Sequence, residues 1–248
     1  MYENINKHLG EEWLNREIES IESKNWIKKS EKEKVSTKPA HYLLEKIEKL
    51  IKKFEDIEGF SQWVLDAKTS RNNFEDILFE LMVLDNLLNK VDFIVLKHSN
   101  PNGNFVPEAK LSKGNEHFYV EMTKLKSTPK NILNKVDGLF RKARNKFRGS
   151  QGIHFIGCFE FFDYVNDKSV PSKNYNLLKF YIQRRFERHS NSSILAFVLV
   201  NIMIKTLPDF SKSSIDKTYE IIQKSPEKGG KQPKFFKEIF EVNDFIYL

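Results

Sequence analysis

Two glutamates, Glu108 and Glu121, lie where the surrounding pattern brings their carboxylates side by side. The stretch from Phe105 to Lys126 contains two runs of alternating apolar residues, separated by the sequence Ser-Lys-Gly-Asn at residues 112–115. Glycine and asparagine tolerate the positive φ of tight turns, so this stretch is predicted to form a β-hairpin. A loop of two or four residues puts both apolar sets on one side of the sheet, and both carboxylates then lie on the other side.

A carboxylate pair of this kind points to a definite chemistry. Like charges on neighbouring strands repel, unless a metal ion or a proton holds them together. Two carboxylates that bind Mg²⁺ or Mn²⁺ can activate a water molecule and stabilise charge on a phosphate, which are the two requirements of phosphodiester hydrolysis. Glu108 and Glu121 are therefore candidate ligands of a catalytic metal ion.

A family resemblance supports this chemistry. Pro107-Glu108, the short hairpin and Glu121-x-x-Lys124 together resemble the motif of the PD-(D/E)XK, or restriction-endonuclease-like, nucleases. The resemblance covers residues 72–205. It implies an α/β fold with a core of helix, three-stranded meander, helix and strand, and an Mg²⁺- or Mn²⁺-dependent endonuclease that acts on DNA.

The resemblance also implies further metal ligands. Proteins of this class often carry a glutamate on the first helix of the core, and Glu80 has that place here. The strand carbonyl of Met122 is the other ligand that the family pattern implies. An alternative for Glu80 is a solvent-facing position on the flank of its helix, because an unpaired buried carboxylate is costly.

The lysine of the family motif is displaced in this sequence. In the family it follows the acid by two residues on the same strand face, and Thr123 has that position here. Strand alternation turns Lys124 to the opposite face, unless a bulge intervenes. Lys110 is the first substitute, because it shares a strand face with Glu108. Two lysines of the following helix are the other candidates: Lys142 and Lys146.

The helix predicted over Asn131 to Arg148 is densely basic outside its apolar stripe. Asp137 is its only acidic residue, so the basic side chains lack the acidic i,i+4 partners that solvated helix faces normally carry. The formal net charge of +7 and the pI of about 9.2 also favour a polyanionic partner. Four side chains are assigned as nucleic-acid contacts: Lys135, Arg141, Lys142 and Lys146. Lys179 to Arg188, on a second basic helix, form the alternative surface.

The helical pattern divides the chain into two parts. Residues 1–69 are predicted to form a helical N-terminal extension with a linker at residues 30–39, and residues 70–248 to form the nuclease-like α/β domain. In the second part we predict helices over residues 72–89, 131–148 and 174–189 and strands over residues 91–97, 153–162 and 193–205. The last strand is expected to be central, because both its faces are apolar. Further helices are predicted over residues 215–222 and 234–242.

The composition limits the cellular compartment of the protein and excludes two kinds of cysteine site. The single cysteine, Cys158, excludes an intrachain disulfide or a cysteine zinc site. The N-terminus lacks a signal-peptide pattern and the longest apolar run is too short for a bilayer. We therefore expect a soluble cytoplasmic protein without a membrane partner. The helical extension either packs on the core or forms a homodimer.

Two other functions stay open at this point. The first is a catalytically inactive member of the same fold that binds nucleic acid or a protein partner through its basic helices, and Thr123 favours it. The second is a structural module of another α/β class. Glu80, Glu108 and Glu121 together favour the enzyme.

Overall fold

In the computed structural model, the chain forms two compact units. The first consists of Met1–Asp85 and Ile204–Asp216, and the second of Asn86–Met203 and Lys217–Leu248. The fold is of the mixed α/β class. The predicted boundary between residues 69 and 70 stays a prediction. The structure describes these residues: 2–23, 38–69, 73–102, 105–125, 132–158, 162–165, 168–188, 193–206, 213–223 and 245–247.

The first unit is helical in its N-terminal part, as the pattern predicts. Among the described residues, four helices precede the predicted core: α1 (Glu3–His8), α2 (Glu11–Ser23), α3 (Lys38–Phe54) and α4 (Phe60–Thr69). Glu48 of α3 holds the start of α1, because its carboxylate accepts hydrogen bonds from the backbone N–H groups of Asn4 and Ile5, both at 2.8 Å. A carboxylate at a helix N-terminus satisfies donors that have no partner within the helix.

Helix α5 (Phe74–Leu88) confirms the prediction for residues 72–89. Its N-terminal cap is Asn73. The side chain of Asn73 accepts a hydrogen bond from the N–H of Asp76 at 3.1 Å, and Asp76 accepts one in return from the N–H of Asn73 at 3.3 Å. This reciprocal pair is a capping box, which fixes the start of the helix.

The second unit is built on a mixed sheet. Its first four strands are β1 (Phe93–Leu96), β2 (Ala109–Lys113), β3 (Glu116–Leu125) and β4 (Gly152–Cys158), with α6 (Ile132–Lys146) between β3 and β4. A small antiparallel pair follows, β5 (Phe162–Val165) and β6 (Lys168–Pro171), and then α7 (Lys173–Arg188). The remaining strands are β7 (Ile194–Thr206), β8 (Ser213–Gln223) and β9 (Phe245–Tyr247).

The strand order of the large sheet in the described part of the chain is β1-β2-β3-β4-β7-β8-β9. Strands β1, β2 and β3 form an antiparallel meander, whereas β3, β4 and β7 run parallel. The prediction that residues 193–205 form a central strand is confirmed, since β7 lies between β4 and β8. The β5–β6 pair was not predicted.

The hairpin has the predicted register. The loop consists of Gly114 and Asn115, and Gly114 has a φ of +57°, which glycine adopts without strain. The register pairs Ala109 with Val120 and therefore places the apolar sets on one face, as the alternation predicts. The other face of the sheet carries the carboxylates and is covered by α6.

Helices α6 and α7 pack on the sheet through an aromatic cluster. The ring of Phe140 of α6 lies 4.6 Å from that of Phe197 of β7, and Phe186 of α7 lies 5.3 Å from both rings. All three side chains are buried. Burial of large aromatic side chains is a main source of stability, so this cluster fixes α6 on the sheet.

The prediction of a helix over residues 215–222 is wrong, because β8 covers this segment. Neighbouring residues Ile221 and Ile222 are both fully buried, which a strand inside a sheet requires and a surface helix does not. The helix predicted over residues 234–242 lies outside the described residues. In the described residues, no helix combines the length and the apolar character that a membrane crossing requires.

Candidate active site between the hairpin and helix α6

One ammonium group lies between the two predicted carboxylates. Nζ of Lys146 is 2.5 Å from Oε2 of Glu121 and 3.4 Å from Oε1 of Glu108. Glu121 lies in the middle of β3, and Glu108 directly precedes β2 at the position opposite it in the register. The structure therefore brings both carboxylates to a single cation, which is a lysine side chain.

Two further lysines complete what we call the carboxylate cluster, consisting of Glu108, Glu121, Lys97, Lys142 and Lys146. Nζ of Lys142 is 2.5 Å from Oε1 of Glu121, and Lys97 pairs with Oε2 of Glu108. Each of the four carboxylate oxygens therefore has an ammonium group beside it. The cluster carries two negative and three positive formal charges.

Lys97 was missed in the sequence, although its position follows from the register of β1 and β2. Leu96 pairs with Ala109, so the next residue along β1 faces Glu108. The backbone N–H of Lys97 donates to the carbonyl of Glu108 at 2.8 Å, which holds the two residues together. Lys97 has a φ of +49°, an uncommon conformation for a residue with a Cβ.

Burial is the largest single influence on the pKa of each of the two glutamates, but the net shift differs between them. Burial raises the pKa of Glu108, but the charges of Lys97 and Lys146 outweigh it, so the pKa is lowered overall. Burial also raises the pKa of Glu121, where Lys142 and Lys146 offset only part of the effect and the Glu108 carboxylate adds to it. The environment thus pushes the two pKa values apart, which is typical of acid–base pairs in active sites.

A threonine and a buried histidine extend the cluster across the sheet. Nζ of Lys142 donates to Oγ1 of Thr123 at 3.2 Å, and Nε2 of His154 lies 2.9 Å from the same hydroxyl. His154 is fully buried beside Glu121 in the parallel register of β3 and β4. Burial lowers the pKa of His154 well below its usual value, and Lys142 and Lys146 lower it further, so the imidazole is neutral.

No sequence pattern singles out His154, since the histidines are scattered along the chain. Its neighbour Glu121 could have indicated it only after the pairing of β3 with β4 was known. Nδ1 of His154 is buried and has no hydrogen-bond partner among the described residues. Of the two ring nitrogens, Nε2 therefore has a hydrogen-bond partner among the described residues and Nδ1 has none.

The other lysine candidates are placed as strand alternation requires. The pairing of β3 with β4 is continuous from Tyr119 to Leu125, so no bulge turns Lys124 towards Glu121 and Thr123. Lys110 shares the face of the cluster, because it pairs with Tyr119. In the part of the chain that the structure describes, Lys110 makes no ion pair with Glu108, whose partners are Lys97 and Lys146.

The four residues assigned to nucleic acid divide into two pairs. Lys135 and Arg141 are exposed. Lys142 and Lys146 point to the carboxylates, and the side chain of Lys146 is only 10% exposed. The expectation that all four lie off the apolar stripe is wrong for Lys146, because the buried Glu121 attracts its ammonium group under the helix.

Two further residues, Glu80 and Met122, were predicted to be metal ligands. Glu80 lies in the first unit, where the indole N–H of Trp63 donates to its Oε2 at 2.8 Å. Met122 is buried and pairs with Phe155 in the ladder. Among the described residues, no three His, Cys, Asp or Glu side chains form a group that could hold a metal ion. The assignments of Glu80 and of the Met122 carbonyl stay predictions.

Comparisons with known proteins add little to this geometry. No protein-family profile and no curated protein matches the sequence. The structure has a weak likeness to SfsA of Pyrococcus furiosus in complex with Ca²⁺, with 11% identity and a TM-score of 0.28. The match covers 50% of this chain and 55% of that chain. A TM-score of this size does not establish a common fold, so the site has to be interpreted from its own chemistry.

Proposed function

We propose that this chain is an Mg²⁺- or Mn²⁺-dependent nuclease that hydrolyses phosphodiester bonds in DNA. The observation that carries the proposal is the convergence of Glu108 and Glu121 on one cation, the ammonium group of Lys146. Carboxylate oxygens are preferred ligands of both metal ions. Carboxylates that share a cation are the main structural requirement of such a site.

The order and direction of the elements support the same proposal. Helix α5, the antiparallel meander β1-β2-β3, helix α6 and the parallel strand β4 follow one another as the restriction-endonuclease-like resemblance implies. The two glutamates lie at the hairpin of this meander, which is the family position for the acidic ligands. The strand pairing therefore supports the nuclease proposal.

A divalent ion fits the donor set in kind, but it competes with Lys146. The carboxylates have the right chemistry and surround a position that already holds a positive charge. Because three ammonium groups outnumber two carboxylates, occupation by a metal ion requires Lys146 to withdraw from between them. When bound, the ion supplies an activated water molecule and a positive charge near the phosphate.

Lys142 is the residue best placed to take the role of the family's lysine. Its ammonium group contacts both Glu121 and the hydroxyl of Thr123, the residue that has the lysine's place on the strand. Its side chain is 44% exposed, so substrate can reach it. Lys142 would hold a positive charge beside the attacking water and the phosphate, a role first assigned to Lys110 from the sequence.

The test is cleavage of supercoiled plasmid DNA by the pure protein in Mn²⁺ or Mg²⁺. The parent protein should cut, and both Glu121→Ala and Lys142→Met should lower the rate by at least about a hundredfold, the usual scale for a group that acts on the transition state. Lys124→Met is the matched control, because it removes the same charge from the opposite strand face. Cleavage that survives Lys142→Met but not Lys110→Met would reject the assignment to the helix.

A second function is favoured by one observation, the presence of a lysine ammonium group within ion-pair distance of each of the four carboxylate oxygens. On this alternative, the chain is a catalytically inactive module that binds nucleic acid or a protein partner, and the lysines replace the metal permanently. The melting temperature separates the two functions, since a ligand that binds only the native state raises it. Millimolar Mn²⁺ should raise the melting temperature of the parent but not that of Glu121→Ala. No rise in the parent favours the inactive module.

A further inference from the structure

A cavity of about 540 Å³ opens between α6 and α7. Helix α6 is also the helix that supplies Lys142 and Lys146 to the carboxylate cluster. The cavity is lined by three arginines, Arg141 and Arg144 of α6 and Arg185 of α7, and by the helical Gly138. We call these four residues and the space between them the arginine cavity. Its volume is in the range of natural small-ligand sites.

The charge of the arginine cavity is unbalanced. Asp137 is the acidic residue in its lining, and its Oδ1 is 3.1 Å from Nε of Arg185. The two atoms are not aligned for a hydrogen bond, and both are buried without a hydrogen-bond partner in the described residues. Arg141 and Arg144 have no ion pair within the described part of the chain and are exposed. Two guanidinium groups are therefore available to an anion.

Gly138 shows that the space beside α6 is open where the arginines converge. A Cβ added to Gly138 would meet no atom within 4 Å, so no packing contact requires a glycine. A glycine inside a helix lowers the stability of the helix relative to alanine. The chain thus accepts a helix-destabilising residue among the residues that line the cavity.

We propose that the arginine cavity binds a phosphate group. Guanidinium groups bind phosphate through paired N–H donors, and two of them here have no carboxylate partner among the described residues. Phe140 contributes to the wall, but its ring is packed against Phe186 and Phe197, so charge and not stacking selects the ligand. The phosphate is that of a nucleic-acid strand or free phosphate, and only the first of these sources rests on the proposed nuclease function.

The test measures binding in EDTA, so that it does not depend on cleavage. The probes are a fluorescent single-stranded DNA oligonucleotide, followed by anisotropy, and inorganic phosphate, followed by the melting temperature. Gly138→Leu fills the cavity, and Arg141→Gln with Arg144→Gln removes its free charges. The matched controls are Gly138→Ala for the first variant and, for the second, Lys52→Gln with Lys68→Gln, which removes two positive charges exposed on α3 and α4.

We expect Gly138→Leu and the double arginine variant each to weaken DNA binding about tenfold or more, with a smaller dependence of affinity on salt because fewer counterions are released. The DNA affinity of the Gly138→Ala control should stay within about twofold of that of the parent. The two-residue charge control should bind DNA clearly more tightly than the double arginine variant. If phosphate raises the melting temperature of the parent more than that of the two variants, while both variants bind DNA as the parent does, the ligand is free phosphate. Unchanged binding of both probes in the arginine variant overturns the proposal. This variant decides the outcome alone if Gly138→Leu does not fold.

Failure here and failure of the nuclease are distinguishable. A parent protein that binds DNA through the cavity but cuts nothing contradicts the nuclease and supports the cavity. A protein whose plasmid cleavage, DNA affinity and response to phosphate are all unchanged in the arginine variant contradicts the cavity and supports the nuclease.

Discussion

Helix α6 presents the same charge on two flanks with opposite consequences. On one flank, Lys142 and Lys146 reach the carboxylate cluster, where each carboxylate oxygen has an ammonium partner. On the other flank, Arg141 and Arg144 line the arginine cavity, where the ion pair of Asp137 is with Arg185. Residues 141 and 142 are neighbours in sequence, but the helical rotation of about 100° between them decides which surroundings each one meets.

The difference shows that the number of basic residues on a helix does not indicate their role. A buried ammonium group has lost its water and depends on its carboxylate partners, so its removal disturbs the fold. An exposed guanidinium group keeps its water and can exchange it for a phosphate. The first flank is thus tied to stability and reaction chemistry, and the second to recognition.

The largest expected difference between the flanks is in stability. Lys146→Ala should lower the free energy of unfolding by about 3 to 5 kcal/mol, because it leaves buried carboxylates without their shared cation. Arg144→Ala should change it by no more than about 0.5 kcal/mol, as is usual for exposed positions. Urea unfolding of the two variants measures the difference. Equal costs would mean that Lys146 is hydrated in solution, which would contradict the buried cluster.

The second difference is in the dependence of stability on pH, and it comes from His154. Since the folded-state pKa of His154 lies below the unfolded value of 6.5, the unfolded chain binds more protons as the pH falls through this region. The stability should therefore fall by up to about 1.4 kcal/mol per pH unit below pH 6.5, until the folded-state pKa is reached.

Urea unfolding at pH 7.5 and pH 5.5 tests this pH dependence. His154→Gln should reduce the loss of stability between the two values, whereas His117→Gln is the control, because His117 is exposed on the hairpin. An identical loss in His154→Gln and the parent would show that the buried imidazole does not titrate as expected.

The smallest expected effect concerns the open space of the arginine cavity. Gly138→Ala should raise the free energy of unfolding by about 0.5 to 1 kcal/mol, because the new Cβ meets no atom and the helix propensity improves. Gly152→Ala is the opposite case, since its Cβ would lie 2.3 Å from the buried ring of Phe147. Thermal melting of both variants should give shifts of opposite sign, and a destabilised Gly138→Ala would mean that the cavity is closed in solution.

Local pattern was enough to predict the elements of the hairpin and its two acidic residues. The alternation of Ala109 and Leu111 with Phe118 and Val120 fixes the register, because a shift by one residue would expose the apolar face. The partners of Glu121 could not be predicted in the same way. Lys146 reaches it only through the docking of α6 on the sheet, and sequence periodicity alone placed Lys146 on the outside.

Contacts between elements that are distant in sequence explain the other differences. His154 joins Thr123 through the parallel pairing of β3 and β4, which has no local signature. Strand β8 was mistaken for a helix because its apolar residues Ile215, Ile221 and Ile222 also suit a short helical stripe. Its place in the sheet beside β7 decides the conformation, since tertiary packing overrides weak local preference.

The sheet supplies the negative groups of the carboxylate cluster, and α6 supplies two of its three positive groups. When the β2–β3 hairpin forms alone, it holds Glu108 opposite Glu121 without Lys142 and Lys146, and the two charges repel. An isolated hairpin is marginal in water even without such repulsion. Folding of the meander is therefore expected to wait for the arrival of the helix, so that this charge arrangement makes hairpin formation and helix docking one cooperative step.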